Sequence, residues 1–206
     1  MHPMTVHLFV LDTMADWEAG YAITGINQQA FQANPGRYVV RTVGATREPV
    51  RTMGGVTILP DLTLDEVTPG ASAMLILPGA ETWDAGEHAA AAEKARELLE
   101  AGVPVAAICG ATSGLARRGL LDARPHTSNA PEYLAAAPGY AGQAHYAGGP
   151  ALRDGDLITA SGTAPLEFAR LIFERLELYA PPVLDAWYAL YKHGDASAFH
   201  ALAEEA

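Results

Sequence analysis

The sequence predicts an α/β protein with a mostly parallel central sheet that is covered by helices on both faces. Short apolar runs alternate with stretches of helical periodicity along most of the chain. Several of these runs are apolar at every position, which is typical of strands buried between two helical layers. With 206 residues, the chain is long enough for one large domain with a substantial core.

Composition narrows the classes of function. The chain carries 24 acidic and 13 basic side chains, a net charge of −11, and lacks a basic block that could neutralise phosphates. We therefore expect no nucleic-acid partner. No apolar run is as long as a membrane helix, and MHPMTVHLFVL lacks the basic start and long apolar centre of a signal peptide. The lone cysteine suits a reducing compartment, so we expect a cytoplasmic protein without a membrane partner.

The first half of the chain alternates strands with helices. The predicted strands are residues 5–11, 38–43 and 73–77, and the predicted helices are a segment from about residue 16 and residues 88–101. Trp17, Tyr21, Thr24 and Gln28 share one line of the first helix. Gly54 and Gly55 separate two short extended runs, which predicts a small hairpin at the sheet edge. The third strand ends in Pro78 and Gly79, at the edge where open α/β sheets bind ligands.

The only cysteine follows the next apolar run, residues 103–108. Helical periodicity begins directly after Cys109, and the small residues Ala107, Gly110 and Ala111 permit a sharp strand-to-helix turn. The backbone N–H groups at a helix start favour a thiolate, so we expect Cys109 to be more acidic than an ordinary cysteine. The alternative is that Cys109 is a small buried hydrophobic residue.

The second half continues the alternation. Residues 124–129 and 143–146 are strand candidates, Asp154-Gly155 predicts a hairpin, and Ser161 or Thr163 is expected to cap a helix that runs to residue 178. Pro181 and Pro182 end that helix, so residues 1–180 are expected to form the domain and residues 181–206 a C-terminal helical extension. The extension has an aromatic face of Leu184, Trp187, Tyr188 and Tyr191. This face either packs on the domain or forms a homodimer contact.

Four segments together resemble the ThiJ/PfpI superfamily, also called the DJ-one/PfpI family, which includes the class I glutamine amidotransferase domains. They are LILPGA, AAICGAT, GLLDARPHTSN and LITASGTAPLEFAR, in that order and with similar spacing. The resemblance covers residue 5 to about residue 178. It implies a flavodoxin-like three-layer sandwich, in agreement with the layers predicted from the pattern.

The resemblance also implies a site. Cys109 occupies the place of the family's nucleophilic cysteine, and Glu18 that of the acidic residue that hydrogen-bonds the sulfur. The backbone N–H groups of Gly79, Ala80 and Gly110 would resemble an oxyanion hole. A charged Glu18 would raise the pKa of the thiol, so an acidic thiol requires Glu18 to stay protonated, which burial could achieve.

The departures from the family pattern leave the catalytic base open. Members that act as proteases or amidases carry a histidine directly after the nucleophile, where this chain has Gly110, and residues 161–167 lack the histidine of glutaminases. Glutamine hydrolysis and proteolysis are therefore disfavoured. The base is His126, His145 or absent, since Asn129 lies where some members place a histidine.

Asp16 is a second acidic candidate, because relatives that hydrate isocyanides carry an acid in that loop. The alternative for Asp16 is a helix N-cap. The chain has no HExxH pattern, no clustered Cys and His residues, no P-loop and no dinucleotide fingerprint, so we expect neither a metal nor a cofactor.

Two functions follow from the activated cysteine. The first is a small-molecule hydrolase, amidase, hydratase or glyoxalase and deglycase-like enzyme. The second is a non-enzymatic redox-sensing or stress-response protein whose partner is an oxidant of Cys109. A regulatory ligand-binding domain is disfavoured, because no helix-turn-helix or basic segment is attached.

Overall fold

The computed structural model describes residues 3–204, apart from the side chains of residues 200, 201, 203 and 204. The strands are β1 Met4–Phe9, β2 Tyr38–Gly44, β3 Val50–Arg51, β4 Thr57–Ile58, β5 Leu62–Thr63, β6 Ser72–Leu77, β7 Val105–Ile108, β8 Ala151–Asp154 and β9 Leu157–Ala160. The helices are α1 Asp16–Asn27, α2 Ala89–Glu100, α3 Gly110–Ala116, α4 Pro131–Ala135, α5 Pro165–Leu176, α6 Pro181–His193 and α7 Ser197–Glu204.

Seven strands form one sheet in the order β5, β2, β1, β6, β7, β9, β8. All neighbouring pairs are parallel except β8 with β9, which form an antiparallel hairpin at one edge. Every residue of β6, β7 and β9 is buried, as expected for strands between two helical layers. The α/β fold class is confirmed, and the architecture is that of a flavodoxin-like sandwich.

Helices α1 and α5 pack against each other over the sheet, while α2 and α3 pack together against β7. Gly25 of α1 permits the first of these contacts, because a Cβ there would lie 2.3 Å from Cζ of Phe173. Parallel strands place their carboxyl ends at one edge of the sheet, so the loops after β1, β6, β7 and β9 meet there. The candidate site lies among these loops.

Residues 124–129 and 143–146 are not strands, and both predictions are wrong. A single bridge joins His126 to Tyr146, and Gln143–His145 forms a 3₁₀ turn. The backbone of this region pairs partly with side chains instead of a neighbouring strand. Thr127 N–H, for example, donates to the Thr159 hydroxyl at 2.9 Å.

Two predicted caps and the position of the hairpin are also wrong. Helix α5 begins at Pro165 with Ala164 as its N-cap, and the hydroxyls of Ser161 and Thr163 lie 3.1 Å from each other. Asp16 is the first residue of α1 and not its N-cap. The predicted hairpin, β3 and β4, forms a separate two-stranded sheet and not an edge of the main one. The Asp16 carboxylate anchors it, accepting hydrogen bonds from the Thr52 hydroxyl at 2.6 Å and from a backbone N–H of the turn at 2.7 Å.

Helix α6 packs on α5, and Leu184 and Trp187 are buried. The Trp187 ring centroid lies 5.0 Å from that of Phe173, whereas Tyr191 is half-exposed. The homodimer contact at this face stays a prediction. Within residues 3–204, no helix has the length and apolar character needed to cross a membrane.

Candidate active site

Cys109 stands at the predicted turn between β7 and α3. Its backbone has φ 57° and ψ −123°, a conformation that residues other than glycine rarely adopt. Hydrogen bonds hold the turn: Cys109 N–H donates to the carbonyl of Ala160 at 3.0 Å, and its own carbonyl accepts from Thr112 N–H and the Thr112 hydroxyl. The residue is only partly buried, so the turn presents the side chain at the carboxyl edge of the sheet.

Two glycines let the backbone approach the cysteine. A Cβ on Gly79 would lie 2.7 Å from Cβ of Cys109, and a Cβ on Gly162 would lie 2.8 Å from its sulfur. Both hypothetical Cβ atoms would also lie about 3 Å from the Glu18 carboxyl oxygens. Any larger residue at position 79 or 162 would therefore displace the Cys109–Glu18 pair.

Glu18 reaches the sulfur from α1. Its side chain is 1% exposed, its Oε2 accepts a hydrogen bond from Gly79 N–H at 2.5 Å, and its carboxyl hydrogen-bonds the Cys109 thiol. Burial raises the pKa of Glu18 from 4.5 to about 7, against the opposing effect of the two hydrogen bonds. Glu18 therefore exchanges a proton close to neutral pH.

The thiol of Cys109 is less acidic than the sequence predicts. Burial raises its pKa from 9.0 to about 11, the Glu18 charge adds to this, and donors from Asn129 and Gly110 only partly compensate. The expectation of an acidic thiol is wrong, because desolvation outweighs the N–H groups at the start of α3. Once Glu18 is ionised, above about pH 7, the thiol is the donor and the Glu18 carboxylate the acceptor of their shared hydrogen bond.

Asn129 is a neighbour of the sulfur that the sequence did not single out as a site residue. Its Nδ2 donates to Sγ of Cys109 at 3.3 Å, and its Oδ1 accepts from Gly162 N–H at 2.9 Å. The available signal was its position, where some relatives carry a histidine. This exposed amide therefore provides a hydrogen-bond donor to the sulfur but no proton acceptor of useful basicity.

Neither predicted histidine meets the sulfur. His126 is buried, and its ring nitrogens lie 2.8 Å from the Arg124 carbonyl and 2.7 Å from the Tyr140 hydroxyl. His145 meets His126 through its backbone carbonyl, which accepts from His126 N–H at 3.3 Å. Asp16, held by the hairpin, makes no hydrogen bond to the sulfur either. Within residues 3–204, the side chains that hydrogen-bond the sulfur are those of Glu18 and Asn129.

The predicted set of oxyanion donors is reduced by one. Gly79 N–H already donates to Glu18, so it is not free for a ligand. Gly110 N–H faces the sulfur, and Ala80 lies beside Gly110, since a Cβ on Gly110 would lie 2.7 Å from the Ala80 carbonyl oxygen and 3.2 Å from its nitrogen. Gly110 and Ala80 therefore remain as candidate donors.

No group of three His, Cys, Asp or Glu side chains in the described part of the chain is arranged to hold a metal ion.

Comparisons with known proteins agree on the family. Residues 4–175 match the DJ-1/PfpI family. A protein of Bacillus subtilis strain 168 named "Uncharacterized protease YoaZ" is 44% identical over 194 residues, covering 93% of this chain and 92% of its own. The crystal structure of a thiJ/pfpI family protein from Bacillus anthracis has a TM-score of 0.93 at 42% identity, covering 100% of this chain and 98% of that one. A DJ-1 superfamily protein from Agrobacterium tumefaciens has a TM-score of 0.83 at 29% identity, covering 93% and 98%.

Proposed function

The chain belongs to the DJ-1/PfpI family, and from this premise we propose that it is a cysteine-dependent enzyme that attacks the carbonyl carbon of a small molecule. The observation that carries the proposal is the buried carboxyl of Glu18, which lies against the Cys109 side chain and whose pKa burial raises to about 7. A general base is most effective when its pKa lies near the working pH. The name of the B. subtilis relative supports a hydrolase-like reaction.

In this proposal Glu18 is the base that the sequence left unassigned. Its carboxylate takes the thiol proton while Sγ of Cys109 forms a bond to the carbonyl carbon. The electron pair of the C=O π bond moves to the oxygen. Gly110 N–H, together with Ala80 N–H, donates to the resulting oxyanion.

The protonated Glu18 then completes the reaction. With a small amide, it gives its proton to the leaving amine as the C–N bond breaks, and water hydrolyses the thioester to restore the thiol. With an α-oxoaldehyde, attack gives a thiohemiacetal. Proton transfer from its carbon to the neighbouring oxygen-bearing carbon gives a thioester, which water cleaves to a 2-hydroxy acid.

Small carbonyl substrates fit this site better than peptides do. Peptide bond cleavage requires protonation of a poor leaving amine, and Asn129 cannot supply that proton as an imidazolium would. Glu18 is the one proton donor in this mechanism, and it suffices more readily for an activated amide, because the amine that leaves such an amide is weakly basic. We therefore favour α-oxoaldehydes and small activated amides over proteins as substrates.

The test is turnover of methylglyoxal and of p-nitroacetanilide by the wild type and three variants. We expect Cys109→Ser to abolish turnover and Glu18→Gln to reduce it by about two orders of magnitude or more, the contribution typical of a positioned base. Glu81→Gln changes an exposed carboxylate outside the site and is the matched control. A wild type that turns over neither substrate, or a Cys109→Ser variant with full activity, would contradict the proposal.

The second candidate is a redox role without turnover. It is favoured by the donors around the sulfur, Asn129 Nδ2 and Gly110 N–H, which could hold the oxygens of an oxidised cysteine. Two molecules of hydrogen peroxide would convert the thiol to a sulfinic acid and yield two molecules of water. Mass spectrometry after mild peroxide treatment should then show two added oxygens at Cys109, and fewer in Glu18→Ala. A cysteine inert to peroxide would eliminate this role.

A further inference from the structure

A cavity of about 520 Å³ lies between α1 and the C-terminal helices α6 and α7. Half of the residues that line it are aromatic, namely Trp17, Tyr21, Phe31, Tyr179, Trp187, Tyr191 and Phe199. Its volume is in the range of sites that bind small organic molecules. None of these side chains has a role in the proposed reaction.

Ring contacts fix the shape of this cavity. The Tyr21 centroid lies 6.3 Å from that of Trp187 and 5.6 Å from that of Tyr191, with steep interplanar angles in both pairs. The Trp187 ring also packs against Phe173, with 5.0 Å between the two ring centroids. Such edge-to-face pairs hold aromatic rings in defined orientations, so the walls are formed before any ligand arrives.

The chemistry of the walls selects the kind of ligand. No Asp, Glu, Lys or Arg is among the residues that line the cavity in the described part of the chain. Thr24 and Gln28 of α1 contribute polar groups at the wall. A charged ligand packed on the described aromatic and aliphatic side chains of this wall would lose part of its hydration, so these side chains suit a neutral aromatic molecule.

One wall residue connects the cavity to the sulfur. The Trp17 indole Nε1–H donates to the carbonyl of Gly162 at 3.1 Å. Gly162 N–H donates to Asn129 Oδ1 at 2.9 Å, and Asn129 Nδ2 donates to Sγ of Cys109 at 3.3 Å. Three consecutive hydrogen bonds thus join the cavity wall to the sulfur.

We propose that this cavity is a regulatory site for a neutral aromatic small molecule, and that its occupancy increases the reactivity of Cys109 through Trp17, Gly162 and Asn129. Trp17 is 52% exposed. A ligand packed on its indole holds the orientation that bonds Gly162, because other orientations lose the packing. Gly162 and Asn129 are thereby kept in their places beside the sulfur.

The binding test uses N-phenyl-1-naphthylamine, a neutral aromatic fluorophore, titrated into the full-length protein. A Cβ built on Gly20 meets nothing within 4 Å, and Gly20 lines the cavity. Position 20 therefore has room for a Cβ, and the rest of the Leu side chain in Gly20→Leu should occupy part of the cavity and weaken binding at least about tenfold. Gly70 also has nothing within 4 Å but lies outside the cavity, so Gly70→Leu is the matched control and should bind normally.

The coupling test measures alkylation of Cys109 by iodoacetamide with and without the fluorophore. We expect saturating fluorophore to accelerate alkylation about fivefold, the lower end of typical coupling between sites. Trp17→Phe keeps an aromatic wall but removes the indole N–H, so it should still bind while the acceleration is lost. Circular dichroism verifies that each variant is folded.

Three results would overturn the proposal. The first is absence of saturable binding, or binding that Gly20→Leu leaves unchanged. The second is binding that leaves alkylation unchanged or slows it. The third is sedimentation showing a dimer that Gly20→Leu dissociates, which would assign the cavity to a contact between two copies. Cys109→Ser should still bind the fluorophore, because the cavity does not include the sulfur. Binding to this variant therefore tests the cavity independently of the proposed enzymatic function.

Discussion

Glu18→Gln should stabilise the protein at alkaline pH while it impairs the site. Burial raises the pKa of Glu18 from 4.5 to about 7, so the folded protein binds this proton more tightly than the unfolded chain does. The stabilisation is fully present below pH 4.5 and is lost as pH rises through 7. A shift from 4.5 to about 7 corresponds to about 3 kcal/mol of unfolding free energy.

Glutamine is close in shape to the protonated carboxyl and does not ionise. Its side-chain oxygen can still accept from Gly79 N–H, as Oε2 of Glu18 does at 2.5 Å. The variant should therefore gain about 3 kcal/mol relative to the wild type between pH 4 and pH 8. Urea unfolding of both proteins at several pH values measures this difference, and Glu81→Gln, an exposed carboxylate, is the control.

The same variant should lose reactivity at Cys109. In the wild type, alkylation by iodoacetamide should rise with an inflection near pH 7, where Glu18 becomes able to accept the thiol proton. In Glu18→Gln that inflection should disappear, and the rate should follow only the titration of the thiol itself, whose pKa the Glu18 charge no longer raises. A stability difference that does not change with pH, or an inflection near pH 7 that survives in the variant, would refute the assignment of Glu18 as a buried base.

Three further predictions concern residues around the core and the site. Gly162→Ala places a Cβ 2.8 Å from the Cys109 sulfur, so alkylation should slow at least about tenfold in a folded protein; an unchanged rate would contradict the close approach. Asn129→Asp replaces a donor to the sulfur with a negative charge, so alkylation at pH 8 should slow, as rates against Asn129→Gln would show. His7 is buried with both ring nitrogens unpartnered, and burial lowers its pKa from 6.5 to about 4. The folded protein therefore loses stability as pH falls from 6.5 through 4, because the unfolded chain binds the His7 proton more tightly. In urea unfolding, the free energy of unfolding of His7→Leu should fall by about 3 kcal/mol less than that of the wild type over this range. Equal acid sensitivity in the two proteins would contradict this.

The repeated strands and the turn at Cys109 were predictable because local pattern determines them. Apolar runs such as residues 103–108 report burial on both faces, and the small residues around Cys109 report a turn too tight for larger side chains. The segment of residues 124–129 was not predictable in this way. Its backbone partners include the Thr159 side chain, which no periodicity reveals.

The sequence by itself determined the layered fold, the position of Cys109 and, through family resemblance, the pairing with Glu18. Only the tertiary structure decided the burial that raises both of their pKa values, the presence of Asn129 at the sulfur and the separation of His126 from it. The physical reason is that pKa values and hydrogen-bond partners depend on burial and on residues distant in the chain. Glu18 and Gly79 are 61 positions apart, and Trp17 and Gly162 are 145 apart. Local patterns report neither desolvation nor contacts at such separations.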